Sequence, residues 1–292
     1  MAAETENPFA QSPSLSIAEL EARMEGSRAQ RERHARLRNI LYPFAVVIGL
    51  LVVWEVGTRV LGVPLFLLPP PSAISVSFIA NSSLLLFHGW ITTAEILLGF
   101  ALSIVIGIPL ALAIFLWPAF SRSILPLLVS SQAMPKVAVA PLFLVWFGFG
   151  LLPKVLIAFL IAFFPVVINT AVGLASIEPE KIYLARSMGF GATATFFKIR
   201  LPNALPAIFG GLKISITLAV VGAVVGEFVG GDAGLGYLLM VANGSMDTQL
   251  LFAGIVALTV LGVALFLLIE FAERLAIPRH IIAGDKGIRD AV

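Results

Sequence analysis

Residues 178–206 read EPEKIYLARSMGFGATATFFKIRLPNALP, a polar stretch set between two long hydrophobic runs. Its surroundings make it decisive. Of the 292 residues, 59% are hydrophobic and 12% charged, and the mean hydropathy is +1.01, far from the balance of a soluble domain. The stretch is therefore a loop between membrane spans, and it has structure of its own. Pro179 suits a first helical turn, and helix formers continue to Met188, with Ile182, Ala185 and Met188 spaced for one face. Gly189 and Gly191 break this helix, a second short helix carries Phe196, Phe197 and Ile199, and Pro202 leads into the next span. Two short helices at an angle, with small Ala185 and a glycine at the bend, make a compact knob that fits a cleft in a soluble domain. The same residues also read as a loop lying on the membrane surface.

A bilayer span needs about 20 mostly apolar residues, and six runs qualify: 40–60, 92–116, 123–147, 152–174, 205–228 and 250–271. The expected fold is all-α, a polytopic membrane protein with six transmembrane helices and both termini on one side. Short loops rich in Lys and Arg stay cytoplasmic. Fifteen of the 19 Lys and Arg precede the first span, separate spans two and three or four and five, or follow the sixth. Both termini and the 178–206 loop are thus expected in the cytoplasm, and Arg59 and Lys154 outside. Residues 1–39 form a polar cytoplasmic arm, 40–277 the span domain with its loop at 178–202, and 278–292 a cytoplasmic tail. The arm carries a capping-box pattern at Ser16 and Glu19 and reads either as a surface helix or as a solvated segment. It lacks an apolar core with a small-residue cleavage site, so the first span reads as a retained anchor.

Outside, Pro69 to Pro71 should end one element, with Ser72 capping a short helix to about Ser82. Pro109, Pro126, Pro135, Pro141 and Pro165 fall within spans. Kinked or broken helices are tolerated where neighbours or a wet cavity satisfy the freed carbonyls. Gly210, Gly211, Gly222 and Gly226 in span five permit close helix contact.

Polar groups in spans are costly and mark a route or a structural pair. Gln132 and Lys136 are one helical turn apart in span three and share a face. Asn169 and Thr170 lie late in span four, Lys213 midway along span five, and Glu227 near its outer end. Two lysines against one glutamate leave a mildly positive route that suits an anionic solute; structural pairing of Lys136 or Lys213 with Glu227 or with backbone carbonyls is the alternative.

No catalytic machinery is evident. There is no G-x-x-x-x-G-K-[ST] phosphate loop, and the run GGDAGLG at Gly230–Gly236 has no Lys-Ser/Thr after it. His34, His88 and His280 lack metal-ligand spacing, and the Cys count of 0 excludes thiolate sites and disulfides. The net charge of +2 follows from the positive-inside bias and does not indicate nucleic acid. Energy must come from a partner or a gradient.

The loop resembles the coupling-loop signature of ABC-transporter permeases, in which an E-A-A triplet precedes a glycine and then I-x-L-P. Ala185, Gly189, Ile199, Leu201 and Pro202 match, while Tyr183 and Leu184 replace the Glu and the first Ala. LPPPSAI, TTAEILLGFALSIVIGIPLALAI, MPKVAVAPLFLVWFG and GEFVGGDAGLGYLL are similar to the subgroup serving nitrate, bicarbonate, taurine and alkyl sulfonates, over about 40–277. The subgroup also resembles importers of aromatic acids and vitamin precursors.

The resemblance implies a type I importer fold in the bacterial inner membrane: two permease chains, two ATPase subunits and an external solute-binding protein. The chain itself would bind no cofactor, with ATP and Mg held by the ATPase. The implied coupling residues are Tyr183, Ala185, Met188, Gly189, Phe190, Ile199, Leu201 and Pro202, and the route residues Gln132, Lys136, Asn169, Lys213 and Glu227. The short outer helix would be either part of the binding-protein dock or a plain connection. A gradient-driven transporter or channel remains the alternative; it calls for inverted repeats and membrane acids, and Glu227 is the one acid picked out.

Overall fold

The computed structural model describes residues 41–42 and 44–277, and the expectations for the 1–39 arm, including Ser16 and Glu19, and for the 278–292 tail lie outside them. The chain divides into two compact units, 1–63 and 64–292. In the first, the described residues 41–42 and 44–60 are helical (α1). Thr58 caps its own helix by donating to Trp54 O and Glu55 O, both at 3.0 Å.

The second unit begins with the triple proline. Pro70 is extended, and Pro71 occupies the first turn of α2 (Pro71–Ala80), where a missing N–H costs nothing. Ser72 therefore lies inside the helix rather than at its cap, and no side chain caps this end. There follow α3 (Ser82–Leu116), α4 (Pro118–Gln132), α5 (Ala140–Phe147), α6 (Leu151–Ala175), α7 (Pro179–Ser187), α8 (Ala192–Thr195), α9 (Leu201–Gly230), α10 (Leu235–Gly244) and α11 (Thr248–Ala276). All the regular structure among the described residues is helical. Four stretches are long and apolar enough to cross a membrane: α3, α6, α11 and the run Ala192–Gly230 that contains α9.

The expected third span is broken. Helix α4 ends at Gln132, a 3₁₀ turn covers Lys136–Val139, and the two halves meet at 88°. Pro135 explains the break, since it has no N–H to continue α4 and drives Met134 out of helical conformation. Gln132 and Lys136 consequently do not share a helix face.

Helix α6 is the most enclosed of the long helices and lies between α3 and α9, with glycines at the contacts. A Cβ on Gly99 of α3 would come within 2.6 Å of Ala158 Cβ, and one on Gly222 of α9 within 2.6 Å of Ala158 Cα. Gly211 meets Asn169 in the same way, and Gly226 meets the Lys154 backbone. Gly210, by contrast, faces open space and takes no part in this packing. Small residues let the backbones approach closely, which is how membrane helices gain dispersion contacts without a hydrophobic driving force. Ser215 Oγ donates to Ala162 O at 2.7 Å and Ser103 Oγ to Phe159 O at 3.3 Å, so α9 and α3 each bond the α6 backbone where they pack on it.

Gly222→Ala should lower thermal stability in detergent by about 1–3 kcal/mol, because overpacking outweighs the gain in helix propensity. Gly210→Ala should be neutral or stabilising, and equal losses for the two would refute the wedge.

Candidate functional site

Two groups of residues stand out, one at each end of the α3–α6–α9 core. At the end carrying the glycine run, α3 presents His88, Thr92 and Glu95 on one face, as spacings of four and three residues require. All three are buried. Thr92 Oγ1 donates to Glu227 Oε1 at 2.6 Å and accepts from Leu235 N at 2.7 Å. Gly234 N donates to His88 Nδ1 at 3.0 Å, and Gly236 N donates to Glu227 Oε2. The Glu227 carboxylate lies where side chains on residues 234 and 236 would sit, which explains both glycines; Gly234 also has φ +118°.

Lys154 completes this cluster. Expected outside, it lies in α6, 3% exposed, with Nζ 2.9 Å from Glu95 Oε1 and 3.3 Å from Asp232 Oδ1. A further bond reaches Ala233 O at 3.3 Å. Neither Glu95 oxygen accepts a well-aligned hydrogen bond, so the contact is mainly charge on charge. Asp232 is 85% exposed, and its own backbone together with Lys154 holds its carboxyl below the usual range. The cluster thus ties the 231–236 loop to α3, α6 and α9.

The alternative pairing of Lys136 or Lys213 with Glu227 is not found. Lys213 Nζ instead meets Glu273 Oε2 of α11 at 2.6 Å, and Lys136 Nζ stands 4.0 Å over the Phe164 ring. Asn169 is half-buried and donates to Pro165 O at 2.9 Å within α6, while Gln132 is exposed at the end of α4. The structure therefore scatters Gln132, Lys136, Asn169, Lys213 and Glu227 over separate environments. Glu95 is the buried acid that sequence reasoning missed, and its spacing from His88 and Thr92 was the available signal.

At the other end lies the knob. Helix α7 stops as glycine dictates: Gly189 has φ +81°, Phe190 N donates to Ala185 O and Gly189 N to Arg186 O, both at 3.0 Å. This is the Schellman arrangement, in which a left-handed residue satisfies the last carbonyls of a helix. Nothing in this chain crowds a Cβ at Gly189, so the backbone sets that choice. Ala185 is 2% exposed, whereas Tyr183, Leu184 and Met188 are 65%, 63% and 68% exposed. Met188 thus leaves the face expected to hold it with Ile182 and Ala185. Phe190 and Ile199 are half-buried. Residues Phe196–Arg200 form a π turn running into α9, Leu201 packs on the main core, and Pro202 occupies the first turn of α9. The I-x-L-P part therefore anchors the knob, and the α7 tip presents an apolar surface to solvent.

Residues 103–280 match the family described as binding-protein-dependent transport system inner membrane component. The chain belongs to that family. The permease is 39% identical over 239 residues to the formylaminopyrimidine transport permease protein of Halalkalibacterium halodurans, covering 82% of this chain and 95% of that one. It is 41% identical over 230 residues to the riboflavin transport system permease protein of Chloroflexus aurantiacus, covering 78% and 86%. It is 35% identical over 238 residues to a putative aliphatic sulfonates transport permease protein of Bacillus subtilis, covering 80% and 83%. In fold it is similar to a chain of the inward-facing MetNI methionine ABC transporter, with TM-score 0.57 at 22% identity over 70% of this chain and 97% of that one. The permease is a multi-pass inner-membrane protein of the ABC type, as the coupling-loop signature indicated.

Lys154→Met should cost the permease about 3–5 kcal/mol, because it leaves Glu95 and Glu227 buried without a cation. Adding Glu95→Gln should recover part of the loss. A double-mutant cycle on thermal unfolding checks this, and additive losses would mean that the pair is not coupled.

Proposed function

We propose that the permease is the membrane subunit of an ATP-driven importer that passes a small anionic solute from an external binding protein into the cytoplasm. It would work as two permease copies with two ATPase subunits, which hold ATP and Mg. The observation that carries this reading is the α7 tip, a rigidly capped helix whose exposed Tyr183, Leu184 and Met188 stand on an anchored base. A soluble ATPase cleft can cover such a surface, and each ATPase state then favours one arrangement of the spans by its differential contacts. Tyr183 and Leu184, where the signature has Glu and Ala, make that contact apolar.

The broken span supports a route between two copies. Ala133, Met134 and Pro135 are exposed non-helical backbone between apolar helices. In a bilayer such backbone requires protein cover or a wet cavity, and a second permease copy across a solute route supplies both. Lys136 adjoins this break. Among the described residues it is the span lysine without a carboxylate partner, Lys154 and Lys213 being paired. It, and not the count of lysines against Glu227, is what supports an anionic solute.

Tyr183→Asp with Met188→Asp should abolish co-purification of the ATPase while leaving the unfolding temperature unchanged; retained ATPase would place the docking surface elsewhere. Lys136→Gln should reduce vesicle uptake of a labelled anionic solute by roughly tenfold, the scale of one charge-assisted bond. Unchanged uptake across a panel of sulfonates and heterocyclic acids would remove Lys136 from the route.

A further inference from the structure

Beside α7, on the face carrying Ile182 and Arg186, lies a cavity of about 330 Å³ that none of the exposed tip residues Tyr183, Leu184 and Met188 lines. Its wall includes Phe115 at the end of α3, Ile182 and Arg186 of α7, Phe190, and Thr195 and Arg200 from the segment leading into α9. The Arg200 guanidinium stacks 5.0 Å from the Phe115 ring centroid and reaches Leu174 O at a long 3.4 Å. Neither Arg186 nor Arg200 forms an ion pair with a described residue, although Lys181, Lys213 and Arg274 nearby in sequence or fold all do. Two guanidiniums facing one cavity with no acid between them repel each other, and an anion in the cavity turns that repulsion into attraction.

We propose that this cavity binds a phosphate group, presented either by an anionic lipid headgroup of the inner leaflet or by a free phosphate compound of the cytoplasm. Guanidinium forks match phosphate oxygens in pairs, and basic pockets at the cytoplasmic ends of membrane helices are placed to take headgroup phosphates. Leu116 and Trp117, both exposed beside the cavity, put its rim at the interface, where tryptophan concentrates. Arg186 sits on α7 and Arg200 at the base of α9, so a bound phosphate bridges the knob to the core and steadies the element through which ATPase motion would pass. The proposal rests on the cytoplasmic location of the loop and not on the importer reading.

The test uses the full-length permease in detergent with two probes. Native mass spectrometry measures retention of phosphatidylglycerol against phosphatidylcholine, and phosphorus NMR measures line broadening of inorganic phosphate. Wild type should hold one phosphatidylglycerol in preference to phosphatidylcholine, or broaden the phosphate signal, or both. The first result names the headgroup as source and the second the free compound. Arg186→Gln should weaken the positive signal by roughly tenfold. That variant decides the question, because Arg186 is exposed and its loss leaves the unfolding temperature unchanged, whereas Arg200→Gln also removes the bond to Leu174 O. Equal binding by wild type and Arg186→Gln, or no binding of either probe to wild type, would overturn the proposal.

Discussion

A buried ammonium group organises this molecule. A buried ammonium group left without a partner is costly, and Lys154 is almost wholly enclosed. Its charge is met by Glu95 from α3, by Asp232 and by the Ala233 carbonyl. Glu227 of α9 joins through Thr92 and the glycine loop. Three helices and the 231–236 loop thus share a single charge balance, and none can shift without exposing a charged group to apolar surroundings. Buried charge of this kind fixes geometry more than it adds stability.

The glycine contacts have the complementary role. Gly99, Gly211, Gly222 and Gly226 bring backbones together along α6, and close approach gives many weak dispersion contacts in place of a few strong ones. The sharp breaks in the chain fall outside this wedge. Pro135 breaks the span between α4 and α5, and Gly189 turns the chain at the knob. The result is a rigid centre with a charged cluster at one end, an apolar tip at the other and an exposed break between apolar helices.

Much of this was legible from the sequence. Helical class, loop position and family follow from composition, the positive-inside bias and the Ala185–Gly189–Leu201–Pro202 spacing, all of which are local. The pairs were not. Lys213 and Glu273 are 60 residues apart, and no spacing rule joins residues on different helices. Lys154 fell at the edge of the 152–174 run and was read as facing outside, whereas the structure buries it in the first turns of α6 against Glu95. Pro135 signalled a kink, but the size of the bend depends on the helices packed around it. Glu95 lay within an apolar block and went unnoticed, although its register with His88 and Thr92 gave one polar stripe on an otherwise hydrophobic helix.

Both ends bear on the proposed mechanism, that motion imposed at the α7 tip by ATP drives a solute across spans held by the Lys154 cluster. The most direct test is uptake into vesicles containing the purified permease, its ATPase and its binding protein, with ATP on the knob side and the ion gradients collapsed by ionophores. Uptake that requires hydrolysable ATP and persists without gradients is the expected result. Uptake by the permease alone, driven by an imposed gradient and indifferent to ATP, would contradict the account.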